Sequence, residues 1–168
     1  MQLARIVRTN LVILFSGICA VAQQPPAAEL DIGYGKDSAL QVVDLYVPAM
    51  KGFTTVVYTY GGGWHSGSGK RATAIAEKLR ELGYGCVLVS HRLFPPSTFP
   101  AQGEDLAAAF AWVKANIAAR GGDPKRLVLA GHSSGAHLSL LLATDPRFLA
   151  ARNLARISHA PIFPLSSA

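Results

Sequence analysis

The sequence predicts an α/β fold in which a largely parallel β-sheet is covered by helices on both faces. Short runs of β-branched and aromatic residues alternate with longer segments whose apolar residues recur at helical spacing. Several of the short runs are apolar throughout, which is typical of strands that are buried on both faces. Strands that alternate with helices form βαβ units, and such units build a parallel sheet.

The predicted elements follow one another in a regular order after a Pro/Ala linker at residues 23–28. Strands are predicted at residues 40–47, 54–60, 86–89 and 127–130, and the pattern of residues 157–165 is compatible with the start of one more. Helices are predicted at residues 70–82, 102–120 and 136–143. Gly83 ends the first helix and Gly121 ends the second, because glycine readily adopts the conformation that follows a helix.

Size and composition exclude several classes of protein. The chain has 168 residues, of which 50% are hydrophobic and 15% are charged, so it suits one domain with a core and not a disordered tail. Two cysteines without a CxxC motif allow neither a disulfide framework nor a thiolate zinc site, and we expect no cofactor or metal. The oligomeric state is left open.

The net charge of +6 does not indicate a nucleic-acid partner. Its densest basic cluster is interleaved with Glu77 and Glu81, which is typical of a solvated helix face; the cluster comprises Lys70, Arg71, Lys78 and Arg80. Because no stripe of bases stands alone, we expect no nucleic-acid binding.

Residues 1–22 have the pattern of a secretory signal peptide. Arg5 and Arg8 precede the apolar stretch 11–21, and Ala20-Val21-Ala22 supplies a small-residue cleavage site. The apolar stretch is short for a membrane span, and the residues before Cys19 fit a lipoprotein signal poorly. We therefore expect cleavage after Ala22, export to the periplasm or medium, no stable membrane anchor, and a mature chain of residues 23–168.

A candidate nucleophile lies between a predicted strand and a predicted helix. The pentapeptide Gly131-His132-Ser133-Ser134-Gly135 has the form G-x-S-x-G. A serine that projects from a sharp strand-to-helix turn needs small residues two places to either side, so that the backbone can fold back without a clash. The pattern and its position predict a nucleophile elbow with Ser133 at its tip.

A second glycine-rich segment, Tyr60-Gly-Gly-Gly-Trp64, follows an earlier buried strand and is hereafter called the glycine loop. Acyl transfer places negative charge on a carbonyl oxygen, and preorganised backbone N–H groups stabilise that charge by about 3 to 4 kcal/mol per donor. We expect the N–H of Gly62 or Gly63, together with that of Ser134, to form this oxyanion hole.

Two nucleotide-binding alternatives fit the residues after this loop less well. A P-loop requires glycine at the position of Trp64 and serine or threonine at that of Arg71. Residues 67–72 match a loose G-x-G-x-x-[GA] pattern, but the next strand ends in Val89-Ser90-His91 without an acid to bind a ribose. Neither pattern therefore predicts a nucleotide site.

Further short motifs give the chain a clear resemblance to esterase/lipase-type α/β-hydrolases, of the hormone-sensitive-lipase-like and feruloyl-esterase or kynurenine-formamidase-like groups. They are Asp44-Leu-Tyr-Val-Pro48, Gly61-Gly-Gly-Trp64 with Ser66-Gly67, His91-Arg92-Leu93, Phe99-Pro-Ala-Gln102 with Asp105, Gly121-Gly-Asp-Pro124 and Gly131-His-Ser-Ser-Gly-Ala-His-Leu138. The resemblance implies a carboxylic ester hydrolase that acts on a small-molecule ester through an acyl-enzyme on Ser133, with Gly62 and Gly63 in the oxyanion hole. Asp105 is expected to be structural. Tyr60 departs from the family, which usually has histidine there.

The partners of a catalytic triad are the weak point of this interpretation. In this fold an acid and then a histidine follow the serine, yet the chain offers only Asp145, His137 and His159 after Ser133. Asp145 is expected on the order of 15 Å away, beyond the next helix. His137 is expected to point along that helix, and His159 to enter a strand at its wrong end. The family's later strands are not in this chain.

We therefore expect a fragment of a longer reading frame, or else a truncated and inactive product. An arylformamidase-like amide hydrolase and a non-catalytic relic of a hydrolase remain alternatives to the esterase.

Overall fold

A computed structural model describes residues 28–155 and 162–165 of the chain. The predicted signal peptide and His159 lie outside the described residues. The strands are β1 Ala28–Gly33, β2 Val42–Tyr46, β3 Phe53–Thr59, β4 Gly85–Val89, β5 Gly122–His132 and β6 Ile162–Leu165. The α-helices are α1 Thr73–Glu81, α2 Ala101–Asn116, α3 Ser134–Thr144 and α4 Pro146–Ala150, with 3-10 turns at Gly69–Ala72 and Ala118–Arg120.

The described strands form one six-stranded sheet in the order β1-β2-β4-β3-β5-β6. Strands β4, β3, β5 and β6 run parallel to one another, whereas β2 pairs antiparallel with β4 and β1 pairs antiparallel with β2. The predicted mostly parallel sheet with covering helices is therefore confirmed. The antiparallel pair was not predicted, because strand direction depends on pairing across the sheet and not on the pattern within one strand.

The apolar residues of the central strands divide between two cores, one on each face of the sheet. One core contains Val57, Val87 and Leu129, against which α2, α3 and α4 pack. The other contains Tyr58, Leu88 and Cys86, with Ala72 and Ala76 from the segment that leads into and forms α1. Adjacent residues of a strand point to opposite faces, so the continuous apolar runs serve both cores.

Two short elements differ from the sequence prediction. Residues 23–28 were expected to be a linker, yet β1 begins at Ala28. This strand carries Glu29 and Asp31 at a sheet edge, so it lacks the apolar run that marks a buried strand. Helix α4 is five residues long, too short for helical periodicity to show, and begins where Asp145 accepts a hydrogen bond from the N–H of Arg147.

Candidate active site

The elbow and the glycine loop meet because they follow neighbouring parallel strands. Strands β3 and β5 pair in parallel, and Thr59 at the end of β3 lies opposite Gly131 near the end of β5. Both chains therefore leave the sheet at the same edge, the carboxyl edge at which α/β sheets bind ligands. The register places Tyr60–Trp64 beside Ser133.

Ser133 has the strained backbone that a nucleophile elbow requires. Its φ of 51° and ψ of −120° lie in a region that residues with a side chain rarely occupy. A Cβ on Gly131 would lie 2.6 Å from the carbonyl carbon of Gly135. A Cβ on Gly135 would overlap the carbonyl oxygens of Thr59 and Tyr60. The sterically based prediction of small residues on either side of the serine is thus confirmed.

The glycine loop lies directly against this turn. A Cβ on Gly61 would come within 2.6 Å of His132 Nδ1 and 3.0 Å of Ser133 Cβ. Because real Cβ atoms do not approach other atoms so closely, only glycine allows the loop to contact the elbow here. The glycine at position 61 is therefore needed for the contact between the loop and the elbow.

The predicted oxyanion-hole donors differ in their hydrogen bonds. The N–H of Gly62 donates to Ser134 Oγ at 3.1 Å, so this donor is already occupied. The N–H of Gly63 has no acceptor among the residues that the structure describes. Ser134 is the first residue of α3, and the N–H groups in the first turn of a helix lack intrahelical partners. Gly63 and Ser134 are therefore the free donor pair.

Tyr60, which departs from the family's usual histidine, stacks on His91 behind the loop. The ring centroids lie 4.8 Å apart and the ring planes differ by 7°. Both side chains are buried, and neither Tyr60 Oη nor His91 Nε2 has a hydrogen-bond partner in the described part of the chain. Burial raises the pKa of Tyr60 to about 12 and lowers the pKa of His91, so both rings are neutral near pH 7.

Asp105 serves as the centre of a buried ion-pair network, in keeping with its expected structural role. Its side chain is 1% exposed. It accepts hydrogen bonds from the backbone N–H and guanidinium of Arg92, at 2.7 Å for both the N–H and Nη2, and from Gln41 Nε2 at 2.8 Å. These bonds join the segment after β4, helix α2 and the segment before β2. The sequence analysis did not connect Gln41 or Arg92 with Asp105, because these hydrogen bonds join segments that are distant in the chain.

The structure brings none of the described triad candidates to Ser133. Asp145 lies at the far end of α3, where its carboxylate pairs with Arg147 at 2.6 Å and has a lowered pKa for that reason. His137 packs edge-on against Trp64, with ring centroids 5.4 Å apart. No hydrogen bond joins Ser133 Oγ to another residue within the described ranges 28–155 and 162–165. His159 lies outside those ranges.

Two cavities flank the glycine loop. One has a volume of about 420 Å³ and contains Ser133; it is lined by Tyr58, Tyr60, Gly61, Gly62, Gly63, Arg71, Ala72, Ile75, His132 and Ser133. The other has a volume of about 440 Å³ and is mainly apolar; it is lined by Gly63, Trp64, Phe94, Ser97, Thr98, Phe99, Gln102, His137 and Leu138. We call them the serine cavity and the aromatic cavity. Gly63, whose N–H is a predicted donor of the oxyanion hole, lines both cavities.

A largely parallel sheet with a strained Ser133 elbow beside a glycine loop defines the chain as an α/β-hydrolase. The family model described as BD-FAE matches residues 43–153, which include both segments. The chain belongs to this family.

Curated relatives and solved structures agree with this assignment. LipM of Mycobacterium tuberculosis, named a probable carboxylic ester hydrolase, is 36% identical, over 70% of this chain and 29% of LipM. The carboxylesterase NlhH of the same organism is 34% identical, over 68% of this chain and 37% of NlhH. The chain thus spans little more than a third, or less, of these relatives.

The crystal structure of esterase B from Lactobacillus rhamnosis superposes with a TM-score of 0.69 at 25% identity, covering 86% of this chain and 48% of that one. A thermophilic esterase from Thermogutta terrifontis gives a TM-score of 0.62 at 27% identity, covering 70% of this chain and 44% of its own.

Proposed function

We propose that the protein containing this chain is a serine hydrolase that cleaves small carboxylic esters through an acyl-enzyme on Ser133. The observation that carries the proposal is the parallel register of Thr59 and Gly131, which sets the glycine loop against the elbow. Esterases among the relatives support an ester rather than the N-formyl amide that an arylformamidase would cleave.

In this mechanism Ser133 Oγ attacks the carbonyl carbon of the ester, and its proton passes to a base. The carbonyl oxygen becomes an oxyanion, which the free N–H groups of Gly63 and Ser134 stabilise as hydrogen-bond donors. Collapse of this intermediate breaks the bond to the alcohol, which leaves with the proton. Water then attacks the acyl-enzyme and releases the carboxylic acid.

Gly62 has a different role in this proposal. Its N–H holds the hydroxyl of Ser134, so it fixes the loop to the first turn of α3 instead of meeting the oxyanion. The base and the acid that orients it are not supplied at Ser133 by the described residues. Since the chain spans 29% of LipM and 37% of NlhH, the proposal is made for a full-length protein, and the tests below use that protein.

Labelling with a fluorophosphonate tests the proposal, because the reagent forms a covalent bond only with an activated serine. Mass spectrometry should locate the label on Ser133 of the full-length product, and Ser133→Ala should abolish it. Ser68→Ala is the matched control, since the Ser68 side chain makes no capping hydrogen bond at its 3-10 turn; this variant should label normally. A wild-type protein that remains unlabelled would favour the non-catalytic alternative.

A comparison of two substrates separates the ester from the amide. The wild-type protein should hydrolyse an aryl ester faster than an N-formyl aromatic amine. Preference for the formamide would replace the esterase by the arylformamidase-like alternative.

We also propose that the protein is exported by residues 1–22, which supply a basic start, an apolar stretch and the Ala20-Val21-Ala22 site. Among the described residues, no helix is both long enough and apolar enough to cross a membrane. Sequencing of the exported protein should find Gln23 at its N-terminus, and a start at Met1 would contradict this proposal.

A further inference from the structure

Arg71 is a cation in the cavity of the proposed nucleophile that the ester-hydrolysis mechanism does not use. Among the residues that line the serine cavity, it is the only lysine or arginine. No acidic residue lines this cavity. Within the described residues Arg71 forms no ion pair, whereas the adjacent Lys70 pairs with Asp31 at 2.7 Å.

The guanidinium of Arg71, an exposed residue, lies at the cavity wall beside Tyr60. A Cβ on Gly67 would lie 3.3 Å from Arg71 Nη1 and 2.7 Å from Tyr60 Cε2. Both groups therefore crowd the same glycine. Since Gly67 has a φ of 110°, its lack of a side chain serves the backbone turn as well as this close approach.

The aromatic cavity on the other side of Gly63 has the opposite character. Its walls include Trp64, Phe94 and Phe99 and carry no Asp, Glu, Lys or Arg. Both volumes, about 440 Å³ here and about 420 Å³ at Ser133, lie in the range that suits a small ligand. An ester whose carbonyl oxygen lies at the N–H of Gly63 would extend one substituent into each cavity.

We propose that Arg71 is a specificity-determining residue for esters that carry an anionic group on one side of the ester bond and an apolar or aromatic group on the other. The guanidinium binds a carboxylate or similar oxyanion by charge-assisted hydrogen bonds. The apolar substituent occupies the aromatic cavity. This inference rests on the proposed esterase function and adds a substrate class to it.

The test compares esters that differ only in charge, in the full-length protein. The 4-nitrophenyl monoester of succinate bears a free carboxylate on the acyl side, and its methyl ester is the neutral match; 3-acetoxybenzoate and its methyl ester move the charge to the alcohol side. In at least one pair, Arg71→Gln should lower kcat/KM for the anionic ester by about tenfold relative to the neutral one. Arg71→Glu should lower it further.

Lys70→Gln is the matched control, because it removes a neighbouring positive charge that does not line the serine cavity. This variant should leave the ratio of kcat/KM for the anionic and neutral esters within about twofold of wild type, since the ion pair of Lys70 with Asp31 is exposed. Raising the ionic strength to about 0.5 M should reduce the preference of the wild type but not that of Arg71→Gln. If Arg71 had a purely structural role, Arg71→Gln would lower kcat/KM equally for the anionic and the neutral ester of each pair.

A binding measurement keeps this inference distinct from the esterase proposal. In a Ser133→Ala background, titration calorimetry should show that the succinate monoester binds more tightly than its methyl ester, and that Arg71→Gln removes the difference. Binding that follows this pattern without any hydrolysis by the wild type would refute the esterase and retain the anion site. Equal effects of Arg71→Gln on the anionic and neutral members of both pairs would overturn the anion site itself.

Discussion

The elbow and the glycine loop are both built on glycines, but they are held in place by different forces. At the elbow, backbone atoms fill the space beside Gly131 and Gly135, so the turn around Ser133 is set by sterics. The glycine loop also makes close contacts, but it is joined to α3 by weaker interactions, which include the hydrogen bond from the Gly62 N–H to Ser134 Oγ and the packing of Trp64 against His137. Behind it lies a Tyr60–His91 stack, in which Tyr60 Oη and His91 Nε2 have no hydrogen-bond partner among the described residues.

The difference explains why one segment keeps the family pattern and the other departs from it. A residue larger than glycine at position 131 or 135 would collide with backbone atoms, which cannot move without displacing β3 or β5. At position 60, a tyrosine ring replaces histidine and finds a neighbouring ring to stack on. The loop therefore tolerates a change of side chain that the elbow would not.

Gly135→Ala should have the largest effect, because the new methyl group would overlap the carbonyl oxygens of Thr59 and Tyr60. In an ordinary helix, alanine would be favoured over glycine by roughly 1 kcal/mol. Here the clash should reverse that sign and lower the free energy of unfolding by about 3 kcal/mol or more. Chemical denaturation of purified protein measures the change.

Gly33→Ala is the control for that variant, since a Cβ on Gly33 meets no atom within 4 Å. Its stability should stay within about 0.5 kcal/mol of the wild type. If Gly135→Ala were as stable as Gly33→Ala, the elbow would not be under steric control.

Gly62→Ala should mainly affect catalysis, by moving the loop away from the elbow. Its Cβ would overlap the carbonyl oxygen of Ser66, which lies just after the glycine loop, in a segment that can shift more easily than a strand. We expect a loss in kcat/KM for ester hydrolysis of about 100-fold, comparable with the loss of an oxyanion-hole donor, with a smaller loss of stability than at Gly135.

The matched control is Gly52→Ala, where φ is 69° but no atom lies within 4 Å of the new Cβ. It introduces backbone strain of the same kind far from the site, and activity should be retained. Normal hydrolysis by Gly62→Ala would show that the position of the loop is unimportant.

The stack behind the loop should give the smallest effect, a dependence of stability on pH. Burial lowers the pKa of His91 below its ordinary value of 6.5, whereas the unfolded chain keeps a pKa near that value. As pH falls below about 6.5, the unfolded state takes up a proton that the folded state does not, so unfolding becomes more favourable. Stability should therefore be full above pH 7 and should decrease toward pH 5, by at most about 1.4 kcal/mol per pH unit.

Thermal unfolding followed from about pH 7.5 to pH 5 measures this dependence. Asp105 acts in the opposite direction by favouring the protonated ring, although burial outweighs it. His91→Asn removes the titrating group and should flatten the curve, whatever it does to the melting temperature at neutral pH. An unchanged slope in that variant would assign the pH dependence to other groups.

Much of the fold could be predicted from local patterns. The sequence predicted β3, β4 and β5, because burial of a strand on both faces leaves a continuous apolar run. It predicted α1 and α2 from apolar residues at helical spacing. The edge strand β1 and the short helix α4 were missed, since their stability comes from pairing and capping with partners elsewhere.

The candidate site divides in the same way. By itself, the sequence determined the two glycine segments and the serine between them, since a strained turn and a close backbone approach permit few residue types. Only the tertiary structure decided that the N–H of Gly62 donates to Ser134 Oγ. It also decided that Tyr60 stacks on His91 and that Arg71 shares a cavity with Ser133. Those contacts join residues from different strands and helices, and their distances are set by how β3, β4 and β5 pack side by side in one sheet.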